Sequence, residues 1–100
     1  MTLEAYLGAN FNPALWDANP ISVAIYLGDA AAIGLDVSNE GLTLNSNAEP
    51  HFSLYFKNER DALAIFSNPQ TAIAAFMRGE FRSSGYLMRT FSLLRACATG

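Results

Sequence analysis

His51, Cys97 and a scatter of serines are the side chains from which acid–base, thiolate or nucleophilic chemistry would have to come. Their spacing offers little of it. A serine nucleophile needs a turn such as G-x-S-x-G to expose its hydroxyl and a base to take its proton. No such turn is present, and His51, directly after Pro50, reads as a surface or strand-edge residue. A metal site needs several converging Cys, His or carboxylate ligands, and one His with one Cys argues against it. The glycines of GEFRSSG form neither G-x-G-x-x-G nor a phosphate loop. Cys97, alone, can make no internal disulfide and reads as a small apolar residue. A hydrolase using His51 and a nearby serine is therefore the weakest reading. The chain is expected to be no enzyme and to use no cofactor or metal.

The arginines carry what polar chemistry remains. Residues 71–100 hold Arg78, Arg82, Arg89 and Arg95 against Glu80, net +3, whereas residues 1–70 hold Lys57 and Arg60 against eight acids, net −6. The whole chain stands at −3 with a pI near 4.8. It has no basic cluster interleaved with aromatics, so nucleic acid is not an expected partner. The arginines read first as solvated faces and helix C-terminal charges. The sharper reading is a rim that meets anionic membrane head groups transiently.

The scaffold beneath these groups is apolar: 51% of residues are hydrophobic and 15% charged, against about 25% charged in ordinary soluble domains. A chain of 100 residues makes one domain, spanning 1–100, that buries roughly 60 to 70% of its unfolded surface. The apolar excess must fill a core, a ligand cavity or a subunit interface. No apolar run approaches the ~20 residues of a membrane span, and MTLEAYLGANF lacks the basic start of a signal peptide. With an unpaired cysteine as well, the expected location is the cytoplasm.

Alternation marks the strands. Val23, Ile25 and Leu27 alternate with Ser22, Ala24 and Tyr26; Ile33, Leu35 and Val37 follow, then a Ser38-Asn39-Glu40-Gly41 turn into Leu42 and Leu44. Phe52, Leu54 and Phe56 form a fourth strand, and Asn58 caps a helix with Ala62, Ile65 and Phe66 on its buried face. Asn68-Pro69 starts a further helix whose apolar stripe is Ile73, Phe76 and Met77, with Gly79 as its left-handed stop. A strand over 81–84 is ended by Gly85, and Leu87, Phe91, Leu94 and Ala98 define a final helix. Four meandering strands followed mostly by helices make an α+β domain, a single sheet of about five strands with helices packed on one face.

Ala75-Phe76, Gly79, Phe81-Arg82, Gly85 and the amphipathic end resemble the C-terminal half of the sterol carrier protein 2 family of lipid-binding domains, and the likeness extends over residues 21–98. The resemblance implies that the fifth strand inserts beside the first by a crossover. It also implies a non-enzymatic lipid-binding or lipid-transfer domain with an apolar cavity between sheet and helices for a fatty acyl, isoprenoid or sterol-like ligand. The expected lining is Phe66, Phe76, Met77, Phe81, Leu87, Met88, Phe91 and Leu94, with Tyr86 and Arg89 nearest the mouth. The chain departs from the family in two places. Residues 1–20, with Gly8, Pro13 and Pro20, are expected to be irregular rather than a long helix, and Ser83-Ser84 stand where an apolar strand residue is common. A sheet left uncovered in this way suggests the alternative, an accessory domain that dimerises or binds another protein through the same fold.

Overall fold

A computed structural model describes residues 2–16, 19–29, 32–47, 49–85 and 87–97. Tyr86, Ala98 and the side chain of Leu87 lie outside what is described. Five strands, β1 (Ile21–Leu27), β2 (Ile33–Ser38), β3 (Gly41–Leu44), β4 (Phe52–Phe56) and β5 (Phe81–Ser83), make one mixed sheet with α1 (Leu3–Asn10), α2 (Glu59–Ser67), α3 (Ala72–Met77) and α4 (Leu87–Ala96). The α+β expectation holds.

The sheet order is β3-β2-β1-β4-β5, which corrects both the four-strand meander and the place of the fifth strand. β1, β2 and β3 form antiparallel hairpins, but β4 crosses to the far side of β1 and pairs with it in parallel, leaving β5 as an edge strand antiparallel to β4. Residues 21–25 of β1, which lies between β2 and β4, are all buried. Its outward positions Ser22 and Ala24 look like polar or small breaks in the sequence. They are simply small enough to be covered.

The second correction is the N-terminus, which is ordered rather than irregular. Thr2 Oγ1 accepts the Ala5 N–H and caps α1, and Leu3, Tyr6 and Leu7, at helical spacing, are buried. The Tyr6 hydroxyl donates to the Cys97 carbonyl at 2.8 Å, and the Leu3 N–H donates to Glu59 Oε2 at 2.9 Å. The Asn12 N–H bonds the Ala96 carbonyl at 2.7 Å, and Trp16 is buried two residues past Ala14 in the turn Pro13–Leu15. Tertiary anchoring overrides the weak local propensity of Gly8 and Asn10. The apolar inner face is thus partly covered by the chain itself, which removes the observation behind a partner-supplied cover.

The third correction concerns α3. Pro69–Thr71 forms a 3₁₀ turn that runs into α3, and Gly79 stops it at φ +74°. The Glu80 N–H reaches the Ala75 carbonyl and the Gly79 N–H the Phe76 carbonyl, the paired bonds of a Schellman stop. Yet the buried face is Ala72 and Ala75, while Ile73 and Met77 are 62% and 78% exposed. Two alanines let the backbone sit close to its neighbours, and the larger side chains are turned outward.

Candidate functional site

The inner face of β4 carries Phe52, Leu54 and Phe56, all buried, because side chains two apart share one face of a strand. Phe56 is the hub of an aromatic run. Its ring lies 5.9 Å from Phe66 on α2 and 5.3 Å from Phe81 on β5, and Phe81 lies 5.6 Å from Phe76 on α3. The run passes from the fully buried Phe66 to the half-buried Phe76. Beside it opens a groove of about 610 Å³ lined by Tyr55 to Lys57 and by Gly79 to Ser84.

Three of the expected lining residues, Phe66, Phe76 and Phe81, are therefore brought together. Leu94 is fully buried in the core, on the inner side of α4. Phe91 is half-buried and packs against the core, and with Met88, Ser92 and Arg95 it lines a separate open groove of about 510 Å³ along α4; Met88 is 83% exposed. Met77 faces solvent from α3. Phe56, absent from the expected lining, joins this run, and the alternation of 52–56 places it on the same face as the buried strand residues.

Polar groups near the run are mostly paired. The Ser83 and Thr90 hydroxyls bond each other at 3.0 Å between β5 and α4, with Thr90 fully buried. A serine at this strand position therefore costs no unsatisfied hydroxyl. Arg78 is engaged by Glu80. Burial pushes the Cys97 thiol up to about 12, so it carries no thiolate at neutral pH.

His51 sits at the opposite end of β4. Its N–H donates to the Ser22 carbonyl at 2.7 Å and its Nδ1 accepts the Ser22 N–H at 2.9 Å, which fixes the start of the parallel pairing. The Ser22 hydroxyl donates to Asp36 Oδ1 at 2.6 Å, as does Ser46 Oγ at 2.8 Å. The Ser22 proton is thus directed to Asp36, away from His51, and this cluster is not arranged as a nucleophile and base. These two bonds, Ser22 first, hold the Asp36 carboxyl below its ordinary value. Among the described residues no group of three His, Cys, Asp or Glu stands together as for a metal, and no helix is long and apolar enough to cross a membrane.

Neither a protein-family model nor a curated protein sequence matches the chain. Solved structures do match its fold. A protein described as UbiJ-SCP2, a ubiquinone synthesis protein, superposes with a TM-score of 0.74 at 10% identity over 95% of this chain and 89% of that one. Palmitated SCP2L2 from Aedes aegypti gives 0.62 at 16% identity over 97% of this chain and 95% of that one. The stereoselective inverting sec-alkylsulfatase Pisa1 from Pseudomonas sp. gives 0.76 at 13% identity over 94% of this chain, which spans 15% of that enzyme. At such identities the likeness speaks for the fold, and the fold is that of sterol carrier protein 2 domains.

Proposed function

We propose that this domain binds, and passes between membranes, a single-chain hydrophobic ligand of fatty acyl, isoprenoid or sterol-like type. The observation that carries the reading is the aromatic run Phe66–Phe56–Phe81–Phe76, which leads from the core to the surface under a helix held by two alanines. The palmitated mosquito domain, alike in fold over nearly its whole length, supports it. Moving α3 on its Gly79 stop would open the run without disturbing the sheet. A 16-carbon chain seated there gains roughly 13 kcal/mol at about 0.8 per CH₂, against an association cost of about 4 to 15 kcal/mol. Binding then needs no polar network. Met88, Phe91 and Arg95, which line the open groove along α4, combine apolar and basic groups, as a transient contact with anionic membranes would require.

The test is native mass spectrometry of the purified chain, organic extraction, and uptake of a fluorescent fatty acid. Phe76→Ala should weaken uptake while leaving the melting midpoint close to that of the parent, because Phe76 is only half-buried. If no lipid co-purifies and uptake does not saturate, the reading fails.

A further inference from the structure

Beside the first turn of α4, where β1 and β4 begin, lies a pocket of about 270 Å³ lined by Asn19, Pro20, Ile21, His51, Phe52 and Arg89. Its floor is apolar, since Ile21 and Phe52 are both buried. Gly85 keeps the floor in place: a Cβ there would stand 2.3 Å from Phe52 Cβ. The polar groups around the floor are donors. Arg89 is half-buried and has no ion pair or hydrogen bond among the described residues. Because His51 Nδ1 accepts the Ser22 N–H, the neutral ring carries its hydrogen on Nε2 and offers it as a donor. Asn19 adds an amide.

Among the described residues no carboxylate lines this pocket. The described acids Asp36 and Glu40 line the neighbouring groove of about 460 Å³, which shares His51. Asp36 is already occupied by two serine hydroxyls. In a chain of net charge −3, a recess with an unpaired guanidinium, an imidazole N–H and an apolar floor selects an anion with an apolar body.

We propose that this pocket binds a small organic carboxylate, its head on the Arg89 guanidinium and His51 Nε2, its body on Ile21 and Phe52. The volume lies below the roughly 300 to 1,000 Å³ of drug-sized sites, so it takes a short acid or the head of a longer one. The site is distinct from the aromatic run. Phe52 and Phe56 stand at opposite ends of β4, about 13 Å apart along a strand.

The experiment is an amide chemical-shift titration of the intact chain with hexanoate and with its neutral counterpart hexanamide. Hexanoate should shift the signals of Ile21, His51 and Phe52 saturably, and hexanamide should bind roughly ten- to a hundredfold more weakly, as expected for losing a charge-assisted pair. Arg89→Gln should abolish that preference and Arg95→Gln should leave it. Palmitate distinguishes the sources of the carboxylate. If it shifts the pocket and the Phe56–Phe76 run together, the pocket takes a lipid head; if hexanoate alone shifts the pocket, it takes a free acid. Equal binding of acid and amide, the preference surviving in Arg89→Gln, or no saturable shift at the pocket with either acid would each overturn the proposal. Palmitate uptake through the aromatic run would survive all three results, so this site and the lipid reading fail separately.

Discussion

The two faces of the sheet are built on different principles. Inward, Ile21, Val23, Ile25, Ile33, Leu35, Val37, Phe52, Leu54, Phe56 and Phe81 are buried together in one core. Outward, the same strands present small and polar residues at one end, Ser22, Ala24, Asp36 and Thr43, and a stacked pair of tyrosines at the other. Tyr26 and Tyr55 are register partners on parallel β1 and β4, their rings 4.9 Å apart and within 10° of parallel. Apolar burial sets the stability of one face, whereas paired polar groups and one exposed stack organise the other. Any hydrophobic ligand that enters between sheet and helices must therefore compete with side chains that already hold the fold together.

The largest effect should separate two adjacent residues. Phe56→Ala is expected to cost about 3 to 5 kcal/mol, the usual range for a buried phenylalanine. Tyr55→Ala, on the other face, should cost only about 0.5 to 1.5 kcal/mol for the lost stack. Urea midpoints of the two variants measure the contrast. Similar losses would mean that the outward face contributes far more than its exposure indicates.

The inner layer is itself uneven, and this is where the sequence was hardest to read. The strands, their inward residues and the Asn58 cap, whose Oδ1 accepts the Asp61 N–H at 2.8 Å, follow from alternation and local chemistry. The α1 anchor does not, because it depends on Tyr6 reaching Cys97, 91 residues away. The crossing of β4 is likewise a long-range choice, its parallel pairing with β1 running over five residues and flanked at its start by the reciprocal Ser22 and His51 bonds. For the site, Phe66, Phe76 and Phe81 were legible as large apolar residues on adjacent elements. The family resemblance gave Met77 and Met88 the same weight, although both are exposed on their helices. Tyr6→Phe removes the hydroxyl that serves a buried carbonyl and should cost about 1 to 3 kcal/mol. Ile73→Ser on α3 should stay within about 0.5 kcal/mol, as for an exposed substitution. Calorimetry of both variants measures how firmly α1 and α3 are held; a larger loss at Ile73 would show that α3 is anchored and cannot serve as the moving element.

The smallest effect belongs to the outer face and is read by pH. Asp36 accepts hydroxyl bonds from Ser22 and then Ser46, and these favour the carboxylate, so its folded pKa lies below the ordinary carboxylate value. A carboxyl lowered on folding adds stability that is fully present above the unfolded value and is lost as pH falls through the folded one. The contribution should accordingly be complete near neutrality and should disappear in acid below about pH 4. Asp36→Asn keeps the Oδ1 that accepts both serines but carries no charge, so its melting midpoint should lie slightly below that of the parent at neutral pH. The two midpoints should converge in the acid range. A difference that stayed constant from neutral to acid pH would show that Asp36 holds the outer face by shape and hydrogen bonding alone, with no contribution from its ionisation.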